Sequence, residues 1–119
     1  MKHKSPITTH ILDTSRGKPA AGVTVVLAKS VDNDPNVWRV FDPVTTNDDG
    51  RVAELYPADE PFEVGWHRLR FEVGDYFDTQ GIDAFYPYVE IVFNIQSVDE
   101  HYHVPLLLNP FGYSTYRGS

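Results

Sequence analysis

Apolar and polar residues alternate along much of this chain, with the two-residue period of strands buried on one face. Trp66 to Val73 shows it most plainly. His67, Leu69, Phe71 and Val73 fall on one side, and Trp66, Arg68, Arg70 and Glu72 on the other. Tyr88 to Ile95 repeats the pattern, with Val89, Ile91, Phe93 and Ile95 directed inward. Val23 to Lys29 is rich in β-branched residues and reads as a strand. So does Val37 to Val44, which carries Pro43 near its end. Ile7 to Asp13 alternates more weakly. Thr8, His10 and Leu12 share one face, and Ile7, Thr9 and Ile11 the other, so a polar residue there is buried or faces a site. A short strand is expected over Val52 to Leu55.

Turn chemistry separates these runs. It falls at Thr14 to Gly22, Ser30 to Asn36, Thr46 to Arg51 and Ser97 to Glu100, with Gly50 expected at positive φ. Pro57 to Gly65 reads as a connection, and Gly74 to Gly81 as the helix candidate, of one or two turns. About eight short strands and one brief helix predict an all-β sandwich. There is no internal repeat and no low-complexity segment.

The final stretch, His101 to Ser119, holds the most suggestive side chains. On a strand, His101, His103, Pro105 and Leu107 face one way, and Tyr102, Val104, Leu106 and Leu108 the other. Asn109-Pro110 predicts a turn, and Phe111 to Arg117 a strand returning beside the first. With the chain stopping two residues later, the last side chains are expected to have a fixed place.

Composition narrows the class. The 119 residues fit a single compact domain, 1–119, and 41% hydrophobic content is enough for one core. With no cysteine there is no disulfide framework and no thiolate chemistry, which fits a reducing cytosol. A net charge of −7 argues against a broad nucleic-acid surface. No stretch is apolar enough to span a bilayer, and no apolar segment follows Met1 to Pro6 as a signal peptide requires. A cytoplasmic location is expected.

The candidate chemistry admits several readings. His101 and His103 on one strand face form a possible metal pair, a source of general acid–base catalysis, or a hydrogen-bonded feature of a sheet edge. A hydrolytic zinc site needs a third protein ligand, and no HExxH run is present. His10 gains interest only if its strand lies beside the one carrying His103. Arg51 and Arg117 are either surface arginines or donors to a carbonyl oxygen or developing oxyanion. No GxSxG elbow surrounds Ser114 or Ser119, so a serine nucleophile is rejected, although a hydroxyl from Ser119 or Tyr116 could orient a water or a substrate.

Three blocks then point to a known family: Thr8 to Ser15 with Gly17 to Ala20; Thr46 to Arg51; and His101 to Leu108 through Tyr116-Arg117-Gly118-Ser119. Over essentially its full length the chain resembles the 5-hydroxyisourate hydrolases, the transthyretin-related proteins of purine catabolism. The terminal Tyr-Arg-Gly-Ser is the most specific part, because transthyretin, the hormone carrier of the same fold, lacks it. Asn109 stands where the family usually has Ser, the turn before Gly50 is more acidic than usual, and residues 57–66 are individual.

The resemblance implies a transthyretin-like two-sheet antiparallel β-sandwich assembled as a homotetramer, with active sites in clefts at the dimer–dimer interface. It implies hydrolysis of 5-hydroxyisourate to 2-oxo-4-hydroxy-4-carboxy-5-ureidoimidazoline with no metal or organic cofactor, while charge and hydropathy already point to no nucleic-acid and no membrane partner. Residue by residue, it assigns water activation to His103 with His10. Arg51 would hold the substrate and polarise its oxygens, Tyr116 and Ser119 would fix the ring and the water, and Arg117 would join the substrate contacts. His101 is the less favoured histidine of its pair. The alternative from another class is a non-catalytic carrier of a small ligand.

Overall fold

The computed structural model describes residues 5–119, so the signal-peptide reading of the first residues lies largely outside the described part. Among the described residues nine strands form two sheets, accompanied by one helix. The first sheet has the order β2-β1-β8-β9, built from Lys18–Pro19, Ile7–Asp13, Tyr102–Asn109 and Gly112–Thr115. The second has the order β4-β3-β6-β7, built from Trp38–Val40, Thr24–Ser30, Gly65–Phe71 and Val89–Ile95, with β5 (Val44–Thr45) also paired to β3. Helix α1 spans Val73–Asp78. Among the described residues no helix is long and apolar enough to cross a membrane.

The alternation read from the sequence is what closes the sandwich. Ile7 and Ile11 of β1 and Leu106 and Leu108 of β8 meet Val25 and Leu27 of β3 and Leu69 and Phe71 of β6 in a fully buried core. Each such side chain contributes about 1.5–3 kcal/mol by leaving water. One pairing departs from the antiparallel rule: β1 and β8 run parallel, with Thr8 opposite His103 and His10 opposite Pro105. The first and the penultimate strands are therefore central neighbours, and the weakly alternating Ile7–Asp13 sits beside the histidine strand.

Four expectations need correction. The run Val37 to Val44 is two pieces, β4 and β5, and the register against β3 slips by one residue between them. Such a slip is a bulge, and Pro43 in the gap cannot donate to a ladder. Val52 to Leu55 forms no strand; Leu55 is buried by its side chain instead, in the core cluster. Lys18–Pro19, placed within a loop, adds a two-residue strand to β1. The returning strand is shorter than Phe111 to Arg117, because Phe111 turns with its N–H on Asn109 Oδ1 (3.0 Å). Beyond Thr115 only Gly118 rejoins, pairing with His103, since Pro105 has no N–H to offer in between.

The helix begins one residue earlier than expected and ends three earlier. Gly74 lies inside it because a Cβ there would meet the Pro87 carbonyl oxygen at 2.6 Å. Tyr76 of this helix donates its hydroxyl to Asp13 Oδ2 (2.8 Å), and Ser15 N–H donates to Oδ1 (3.0 Å). Asp13 is wholly buried, and these bonds replace the water its carboxylate gave up. They also tie the end of β1 to the helix beneath it.

Candidate active site

The site is assembled on the outer face of the first sheet from three short pieces. The turn Asn47 to Arg51 supplies the first. Asn47 Oδ1 accepts from the N–H groups of Asp49 (2.9 Å) and Arg51 (3.1 Å), and Asn47 N–H donates to the Arg51 carbonyl (2.8 Å). The turn is thus closed by its own asparagine. Gly50 has φ of 72°, as expected, and a Cβ there would sit 2.3 Å from the Ile11 carbonyl oxygen. This close approach lets Ile11 N–H reach the Gly50 carbonyl (2.9 Å) and pairs Arg51 with His10 across an antiparallel bridge.

β1 and β8 supply the second piece. Their parallel register sets Thr8 directly against His103, with His101 diagonal to it. The Thr8 hydroxyl lies 2.8 Å from His103 Nδ1 and 2.9 Å from His101 Nε2. The third piece is the last turn of chain. Gly118 N–H donates to the His103 carbonyl (2.8 Å), and a Cβ at Gly118 would lie 2.5 Å from His103 Cδ2. Only a glycine lets the terminus lie against the imidazole edge.

These pieces enclose a cleft of about 370 Å³ lined by Thr8, Thr9, Arg51, Val52, His101, His103 and Ser119. His10 stands on the face of Thr8 and is half-buried. Burial holds both His10 and His103 below the ordinary imidazole pKa, and the Arg51 guanidinium pushes each further down. The neighbouring histidines lower His103 again. Both rings are therefore neutral near pH 7, the state in which an imidazole accepts a proton.

The structure brings Arg51, His103 and Ser119 to one cleft, joins His10 to it through the bridge to Arg51 although His10 does not line it, and sets the other two candidates apart. Tyr116 lies beyond the last paired residue of β9, does not line the cleft and is 57% exposed. Arg117 turns to the other side. It stacks over the Tyr102 ring (4.4 Å), donates to the His101 carbonyl (3.3 Å) and approaches Glu100 (3.6 Å). Tyr116 and Arg117 border a separate apolar hollow of about 170 Å³ with Ile91, Phe93 and Val104. Sequence reasoning passed over Thr8. Its signal was present, since it shares a strand face with His10, but its value lies in the partner strand.

Among the described residues no group of three or more His, Cys, Asp or Glu is placed to hold a metal, so the His101–His103 pair lacks a third ligand of that kind. A larger hollow of about 520 Å³ lies at Lys29, Arg39 and Trp66. Its cations are matched by carboxylates, Lys29 by Glu63 at 2.6 Å and Arg39 by Glu60, so they offer a ligand little uncompensated charge.

The fold and the site together define a two-sheet β-sandwich with a polar cleft served by neutral histidines and an arginine. The chain belongs to the HIUase/Transthyretin family, whose model matches residues 7–118. It is 44% identical over 113 residues to a 5-hydroxyisourate hydrolase of Salmonella dublin, covering 95% of this chain and 80% of that protein. It superimposes on the Klebsiella pneumoniae 5-hydroxyisourate hydrolase with a TM-score of 0.79 at 36% identity, over 95% and 98% of the two chains. With transthyretin from Sparus aurata the TM-score is 0.87 at 28% identity, over 97% of each. The backbone is thus at least as close to the transthyretin, while the residues are closer to the hydrolases. Backbone shape does not separate the two branches; side chains do.

Proposed function

We propose that this protein hydrolyses 5-hydroxyisourate, opening its six-membered ring at the N1–C6 amide to give 2-oxo-4-hydroxy-4-carboxy-5-ureidoimidazoline. The observation that carries the reading is the convergence of Arg51, His103 and Ser119 on one cleft, with His10 bridged to Arg51. Water adds to C6, the carbonyl oxygen becomes an oxyanion, and the C6–N1 bond breaks as N1 gains a proton. His103 and His10 hold the water and move its proton, which neutral imidazoles do near pH 7. Arg51 is permanently charged and binds the substrate oxygens as negative charge develops on them. Ser119 orients the water through its hydroxyl. The terminal segment that carries Tyr116 and Arg117 packs on His103 through Gly118, while those two side chains lie outside the cleft of their own chain.

The carrier alternative leaves this constellation without a purpose, because holding a small ligand needs no acid–base pair. The 119 residues act as a single hydrolase domain, assembled as a homotetramer that completes each cleft, in the cytoplasm. No nucleic acid, membrane or cofactor takes part.

The test is the decay of freshly made 5-hydroxyisourate, followed by its near-ultraviolet absorbance with and without the protein. Decay faster than buffer, lost in His103→Ala and unchanged by a chelator, is the expected result. Decay no faster than buffer from folded protein overturns the reading and leaves the carrier.

A further inference from the structure

The hydrogen bonds around Thr8 carry a consequence for His103. A threonine hydroxyl has one proton and two lone pairs. It cannot donate to both His103 Nδ1 (2.8 Å) and His101 Nε2 (2.9 Å), so one ring must donate to it. If both rings donate to its lone pairs, His103 is protonated on Nδ1; two further arrangements keep the hydroxyl proton within the trio. In one, His101 donates to Thr8 and Thr8 donates to His103, leaving the proton of His103 on Nε2. In the other, His103 Nδ1–H donates to Thr8 and Thr8 donates to His101, leaving Nε2 of His103 with a free lone pair.

We propose that Thr8 and His101 are positioning residues that hold His103 in its Nδ1–H form, so that Nε2 is the base that takes the proton from water. This rests on the hydrolase reading and refines it. The role of His103 fixes the direction. Thr8 is the register partner of His103 and its hydroxyl occupies Nδ1, so Nε2 is the ring nitrogen left for the cleft. That nitrogen acts as a base only if it carries no proton, so the proton of the neutral ring sits on Nδ1. His101 is exposed, and its other nitrogen is free to be hydrated while Nε2 accepts from Thr8.

When Nε2 takes a proton, the Nδ1–H···Oγ1–H···Nε2 chain becomes charge-assisted and strengthens. It stabilises the imidazolium as the third member of a catalytic triad does, by acting through the ring. The gain appears only as charge develops, so it acts on kcat rather than on binding.

The experiment compares wild type, Thr8→Val, Thr8→Ser and His101→Gln. Val matches Thr in shape and strand preference but has no hydroxyl, whereas Ser restores the hydroxyl. Thr8→Val is expected to lower kcat by roughly ten- to a hundredfold, the range for an orienting partner of a functional histidine, with KM little changed. The acidic limb of its pH–rate profile moves to lower pH, because the imidazolium has lost its support. Thr8→Ser recovers most of kcat, and His101→Gln falls between wild type and Thr8→Val. Nitrogen-15 spectra of the wild-type imidazoles, which need no variant to fold, should show His103 protonated at Nδ1. An Nε2–H form in wild type overturns the proposal, as does a folded Thr8→Val with wild-type kcat and pH profile. A wild type that does not accelerate 5-hydroxyisourate decay instead removes the hydrolase reading, and the nitrogen-15 result still decides the tautomer.

Discussion

Two histidines on two alternating strands make an informative pair. His103 on β8 and His67 on β6 each sit in a run where every second residue is buried. Burial, the largest effect on each, pushes both below the ordinary imidazole pKa. His67 nevertheless points into the core, where it is 1% exposed and surrounded by the rings of Tyr56, Phe62 and Phe93. Its Nδ1 meets the Gly65 carbonyl at 3.1 Å, and its Nε2 finds no partner among the described residues. His103 faces outward to a cleft, with Thr8 on one nitrogen and Arg51 nearby. A perturbed imidazole is thus not in itself a site. Access and the company of an arginine and a hydroxyl separate a reacting ring from one that fills space.

The largest expected effect breaks the pair on the catalytic side. His103→Ala should lower kcat by about a hundredfold or more, the scale of a general acid–base contribution, with the circular dichroism spectrum unchanged. His67→Ala should do the reverse. It leaves a cavity among three aromatic side chains and costs roughly 2 kcal/mol in denaturant unfolding, while the folded fraction keeps its kcat. Equal effects of the two variants on turnover would dissolve the distinction.

Gly118→Ala sharpens it further. The added methyl must displace the His103 ring or the terminal segment, and a misplacement near 1 Å is worth roughly a hundredfold. The rate should fall by tenfold or more with little change in unfolding midpoint. Deleting Arg117 to Ser119 should likewise damage turnover more than folding; an unchanged rate would mean that the tail does not serve the cleft.

The smallest effect is in pH. His67, His10 and His103 all hold protons less tightly when folded than at the ordinary value near 6.5. Between the folded and ordinary values the unfolded chain binds more protons, so stability rises with pH in that window and is lost as pH falls below about 6.5. Around His67, Lys29 adds to this and Glu63 opposes it. The denaturant midpoint should drop between pH 7.5 and pH 5, and His67→Leu should lose less of it. An identical drop in His67→Leu would place the acid sensitivity entirely in the cleft.

Much of this was legible in the chain itself. Period-two alternation marked β1, β6, β7 and β8, because a strand buried on one face must alternate, and β-branched residues marked β3. The Gly50 turn announced itself through residues that only a tight turn needs. The motif residues His10, Arg51, His103 and Ser119 could be picked out by type and by resemblance. The sequence could not determine that β1 runs parallel to β8, since pairing partners far apart in the chain are chosen by how two sheets close on a shared core. That choice sets Thr8 against His103, while the close approach of the Gly50 turn brings Arg51 to His10 and the Tyr102 ring holds Arg117 away. The local period decides which way each side chain faces; the register between distant strands decides what it meets there.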